Sequence, residues 1–209
     1  MVDAAALAAF SARFTRPAGA ALRAYPGLYA GPELPASWEV FATSLQGVGG
    51  ALIQPQPTQG DAIQAAIDFG RGPGRVVASA AAAPLLGGVS GWETARVTTT
   101  PGEWADVDLA IIRAELACAE NAALLVTSTS LPERALAFLA QRILVLVPRD
   151  RLVGGFMQAQ AFLAQRLAGG EALHHATWMS GPSKTADIEQ TLVIGAHGVC
   201  ALAVMPVDA

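Results

Sequence analysis

Apolar and polar residues alternate along this chain in two ways: stripes with a period of about 3.6 residues, and short continuous apolar runs bounded by turn residues. Residues 38–48 place Val40, Phe41, Leu45 and Val48 on one stripe and stop at Gly49 and Gly50, which predicts an amphipathic helix with a glycine end. Extended and helical segments then follow one another: strand 51–54, helix 59–69, strand 75–79, short helix 81–86 and strand 95–99. The run Arg96-Val97-Thr98-Thr99-Thr100 supports extension at the last of these. Residues 106–120 fit either a strand or the start of a helix. Beyond them the pattern predicts strand 124–129, helix 132–140 opened by Pro132, and the uniformly apolar strand 143–147. A helix within 151–168 is closed by Gly169 and Gly170. Strand 175–179, helix 183–194 and strand 200–207 complete the chain.

Short strands alternating with helices predict an α/β protein with a largely parallel sheet and helices on both faces. Upstream, the alanine-rich stretch 3–14 predicts a first helix, and Pro and Gly punctuate 17–35. The expected organisation is therefore an N-terminal helical arm, 1–37, beside one α/β domain, 38–209.

Composition narrows the function classes. Apolar residues make up 53% of the 209 and aromatic residues only 6%, so the core must be built from Ala, Val, Leu and Ile. Charged residues are 14%, too few to cover the surface densely, and a homo-oligomer that hides apolar surface is expected. A net charge of −4 without a basic cluster argues against a nucleic-acid surface. No segment supplies the ~20 strongly apolar residues of a spanning helix; the uncharged stretch from Val76 to Trp92 is broken by Pro84, Gly87, Gly88 and Gly91. The N-terminus has Asp3 and no basic leader, so a cytoplasmic protein is expected. Cys118 and Cys200 lack zinc spacing and cannot make a four-thiolate cluster, and His174, His175 and His197 form no chelating set, so no metal site is expected.

Chemistry concentrates between Thr177 and Gly198. An apolar strand runs into Ser180, Gly181, Pro182, Ser183, Lys184 and Thr185 and then into the predicted helix, whose free N–H groups would carry the positive end of its dipole. Lys184 is the only lysine, the twelve other basic residues being arginine. A small-anion site formed by Ser180, Gly181, Ser183, Lys184 and Thr185 is one reading, and a strand-to-helix connection with hydroxyl caps is the other. Asp187 and Glu189 on the first turns of that helix, and His197 after its end, read as partners of the helix termini. Glu120, just before a buried-looking strand, is either a catalytic base or nucleophile, or a carboxylate that caps a turn or pairs with an arginine such as Arg113. Gly70-Arg-Gly-Pro-Gly74 lacks dinucleotide spacing and reads as a turn.

The segment Ser180-Gly-Pro-Ser-Lys-Thr-Ala-Asp-Ile-Glu-Gln-Thr-Leu-Val-Ile-Gly-Ala-His-Gly198 resembles the C-terminal signature of the lactate-utilisation protein C family, the LUD domain. Phe41-Ala-Thr-Ser-Leu-Gln-Gly-Val-Gly-Gly50 resembles the family's early helix and glycine turn, and 106–129 its central segment. The resemblance implies a fold like that of glucosamine-phosphate deaminases, ribose-phosphate isomerases and CoA transferases. It also implies a role in oxidising L-lactate to pyruvate beside iron–sulfur partner proteins, with clusters on the partners and no cofactor on this chain alone. The family usually continues the central glutamate with Thr-Gly-Thr, whereas Glu120 is followed here by Asn121-Ala122-Ala123. A stand-alone isomerase or CoA-transferase-like enzyme using Glu120, and a noncatalytic assembly protein, are the alternatives.

Overall fold

Three seven-residue strands, largely apolar, and the connections between them set the frame. A computed structural model describes residues 34–54, 58–70, 74–98, 100–187 and 190–208. The predicted helix 3–14 and most of the 1–37 arm lie outside them, as do Arg71, Gly72 and Pro73 of the glycine-rich turn. The main sheet has six strands: β1 (Ala51–Leu52), β2 (Arg75–Ala78), β3 (Glu93–Thr94), β4 (Val107–Arg113), β7 (Arg142–Pro148) and β12 (Ala201–Val207). Their order is β1-β12-β7-β4-β2-β3 and every neighbouring pair is parallel. This is the expected α/β architecture.

Alternation along the strands explains the layers. Leu109 and Ile111 of β4, Leu144 and Leu146 of β7 and Met205 of β12 pack with Ile63 and Ile67 of helix α2 (Gln59–Gly70). Ala110, Ile112, Ile143, Val145 and Val204 point the other way, toward Phe41 and Leu45 of helix α1 (Trp38–Gly47) and toward Leu136 of the short helix α3 (Leu136–Leu139). A period of two thus serves two cores from one sheet. Ser37 caps α1, its Oγ accepting from Val40 N–H at 3.4 Å.

The ambiguous stretch 106–120 is two strands: β4 continues through Ala114 and Glu115 into β5 (Leu116–Cys118). β5 belongs to a second sheet with β6 (Ala123–Thr127), β8 (Leu152–Val153) and β9 (Ala176–Met179), in the order β8-β5-β6-β9. Here β5 and β6, and β6 and β9, are antiparallel. One face of this sheet sends Ala117, Leu124 and Val126 into the α1 core, and the other packs Leu116, Cys118 and Leu125 against helix α4 (Phe156–Ala168).

The predicted helix 183–194 is not formed. Residues Lys184–Thr185 (β10) and Val193–Ile194 (β11) pair antiparallel, Lys184 opposite Ile194 and Thr185 opposite Val193. β-branched Thr185, Val193 and Ile194 favour extension, and Gln190 turns the chain with a φ of 57°. Leu192 and Ile194, 61% and 51% exposed, face no core among the described residues, so the helical spacing of apolar residues here has nothing among them to bury against. The predicted strand 95–99 is not formed at its described residues 95–98, the nearby strand β3 lying just before it at Glu93–Thr94, and helix 132–140 shortens to α3. Among the described residues no helix is long and apolar enough to cross a membrane.

Candidate functional site

The hairpin turn between β5 and β6 is the point where the chemistry-bearing segments meet. Asn121 Oδ1 accepts from Ala123 N–H at 3.1 Å, a local closure typical of asparagine in turns. Ala122 has a φ of 54°, in the left-handed region, which costs an alanine about 1 kcal/mol relative to glycine. A glycine here would adopt this backbone without that cost, and the turn forms with alanine in its place.

Glu120 is exposed on this turn, and its Oε2 accepts from the N–H of Phe156 at 2.7 Å. Phe156 opens α4, so the carboxylate answers a free helix donor and the positive end of the dipole. Gln158 serves the same end, its Oε1 accepting from Gly155 N–H at 2.6 Å. The Glu120 carbonyl accepts from Ser44 Oγ of α1 at 3.3 Å, and the Glu120 N–H donates to the Gly154 carbonyl at 2.9 Å.

Ser180, fifty-nine positions along the chain, donates its hydroxyl to the Asn121 carbonyl at 2.7 Å. Gly181 follows with a φ of 72°, and a β-carbon there would run into the Val48 carbonyl at the end of α1. Lys184 Nζ donates to that same carbonyl. The lone ammonium thus stands at the negative end of a helix, the reverse of the expected helix N-terminus. Ser183 ties its backbone to Val199 and Gly195, and Thr185 Oγ1 lies 3.3 Å from Asp187 Oδ2. Asp187 therefore partners a strand hydroxyl and not a helix terminus, and exposed His197 follows a hairpin; Glu189 lies outside the described residues.

Sequence reading missed two other places. Where β4 and β7 leave the main sheet, Arg113, Arg149, Arg151 and Arg166 gather from distant parts of the chain around two cavities. Arg166 is shared between Glu115 and Glu171, and its hydrogen bonds hold the Glu171 carboxyl below the usual range. Under β9, an apolar groove of about 480 Å³ is lined by Val126, Leu131, Phe138 and Met179, with Arg134, His175 and Thr177 as its polar members. His175 Nε2 is buried with no hydrogen-bond partner; burial first, then the charges of Arg134 and His174, lower its pKa. No group of three or more metal-ligating side chains occurs among the described residues.

A parallel sheet joined to a mixed second sheet, with two signature segments meeting at the β5–β6 turn, defines the class of α/β protein to which this chain is to be compared. The chain belongs to the LUD domain family, whose model matches residues 98–204. It is 29% identical over 92 residues to lactate utilization protein C of Bacillus licheniformis, covering 44% of this chain and 38% of that protein. It is 31% identical over 102 residues to lactate utilization protein C 1 of Bacillus mycoides, covering 48% and 44%. The chain thus spans less than half the length of these curated relatives. A crystal structure of a DUF162 family protein from Deinococcus radiodurans superposes with a TM-score of 0.57 at 18% identity, over 82% of this chain and 99% of that one, and supports the fold.

Proposed function

We propose that this chain is a component of a lactate-utilisation system, acting beside iron–sulfur partner proteins that take up the electrons when L-lactate is oxidised to pyruvate. The observation that carries the reading is the contact between the two signature segments: Glu120-Asn121 and Ser180–Thr185 meet, and α1 bridges them through Ser44 and Val48. Family likeness and three-dimensional proximity coincide at this seam.

The seam's groups favour binding and assembly over chemistry at Glu120. Its carboxylate caps α4, the Ser180 hydroxyl is used by Asn121, and one N–H of Lys184 is used by Val48. Small-anion binding by Ser180, Gly181, Ser183, Lys184 and Thr185 would rely on the remaining ammonium donors of exposed Lys184, a point charge beside Gly49 and Pro182. Expression of the chain in a lactate-oxidising cell lacking its own lactate utilization protein C tests the role. Restored growth on lactate, with iron–sulfur proteins co-purifying, is expected; no restoration and no co-purification would remove it. The enzyme alternative has its own test, since Glu120→Gln would abolish turnover if the carboxylate were the base.

A further inference from the structure

β4 and β7 are neighbours in the main sheet, and both pass directly into the second sheet. β4 ends at Arg113 and becomes β5 after Ala114 and Glu115; β7 ends at Pro148 and becomes β8 after Arg149, Asp150 and Arg151. Pairing continues on both sides of the break: Arg113 is opposite Leu146, Ala117 is opposite Leu152, and Ala117 N–H donates to the Arg151 carbonyl at 2.8 Å. The two crossings therefore run side by side at the carboxyl ends of parallel strands, where open α/β sheets characteristically hold ligands. Cavities of about 420 and 370 Å³ open here, and Arg113 and Arg151 line both.

Four arginines at this crossing, Arg113, Arg149, Arg151 and Arg166, meet four carboxylates, Glu115, Asp150, Glu171 and Asp208, but the pairing is uneven. Arg166 is taken by Glu115 and Glu171, and Arg149 by Asp208 and the Pro206 carbonyl. Arg151 is half-exposed and, among the described residues, has as its side-chain partner only its neighbour Asp150, at 3.8 Å. Arg113 has no hydrogen bond or ion pair among the described residues, and its Nε is buried. A guanidinium is always charged and planar, and a buried N–H without an acceptor costs free energy that an oxyanion would recover through two parallel hydrogen bonds. The second cavity adds hydroxyls: Ser130 Oγ accepts from Thr127 N–H, which leaves its own proton to donate.

We propose that the strand crossing is a binding site for a small oxyanion, a carboxylate or phosphate group, held by Arg113 from below and Arg151 from the solvent side, with Ser130 as a neutral donor. It is distinct from the Ser180–Thr185 segment and independent of the pathway role. Titration of the full chain at low salt with lactate, pyruvate, inorganic phosphate and ribose 5-phosphate, followed by calorimetry and by melting temperature, tests it. At least one of these anions binds and raises the melting temperature, and the arms distinguish carboxylate from phosphate. Arg113→Gln and Arg151→Gln each weaken that binding tenfold or more, whereas Arg96→Gln, at an exposed arginine paired with Glu103, leaves it unchanged. Arg151→Gln, on the half-exposed side, carries the test if Arg113→Gln does not fold. The proposal is overturned if no probe binds, if Arg151→Gln binds as tightly as the unaltered chain, or if Lys184→Ala alone abolishes binding.

Discussion

Gly181 shows how a residue that looks like a ligand-site glycine can be required by packing. Its left-handed backbone and its approach to the Val48 carbonyl leave no room for a β-carbon. Gly181→Ala should destabilise the protein by about 2–4 kcal/mol, combining the left-handed penalty with the displacement of α1's last turn, as read from chemical unfolding. His175 gives a pH dependence of known sign. Its folded-state pKa lies below the ordinary 6.5, so the unfolded chain binds the proton more readily. Stability from the neutral imidazole is complete above that ordinary value and is lost as pH falls through it toward the depressed one. The melting temperature should therefore fall more between pH 7.5 and 5.5 for the unaltered chain than for His175→Gln. Glu120 and Lys184 stand out in the sequence as candidate site residues, but their partners, a helix N–H and a helix-end carbonyl, lie far away in sequence and left no local signal.

Among the elements, β7 and β12 could be read from sequence because strands buried on both faces leave continuous apolar runs. β5 could not: three residues long, it directly follows a longer strand, and only the antiparallel register with β6 separates the two. The misread helix 183–194 has the opposite cause, since apolar residues at helical spacing sit in a hairpin that exposes them. The arginine crossing was invisible because its members come from the ends of β4 and β7 and from α4, elements whose meeting is purely tertiary. The same strands separate the two thiols. Burial raises the pKa of Cys118 on β5, whereas Cys200 is exposed just before β12. Native protein should take up alkylating reagent rapidly at Cys200 alone, and Cys118 should react only on unfolding; equal rates at both sites would contradict the placement.

At the scale of the molecule, both sheets feed one core. Leu124 and Val126 from the second sheet join Val145, Ile112 and Val204 from the first, together with Phe41 of α1. Leu124→Ala should cost about 2–5 kcal/mol and should shift a single unfolding transition, seen alike by tryptophan fluorescence and far-ultraviolet circular dichroism. Two separated transitions would mean that the sheets are independent units. Such a shared interior was foreseeable in kind, given so few aromatics and so much Ala, Val, Leu and Ile, but not the presence of a second sheet.

The side-by-side crossing of β4 and β7 also has a mechanical consequence. Two adjacent polypeptide struts, cross-braced where Ala114 donates to Leu146 and Ala117 to Arg151, make the passage between the layers stiffer than a single strand would. Any sliding of one sheet over the other must first unzip both struts, so an occupant lodged there would act as a rivet.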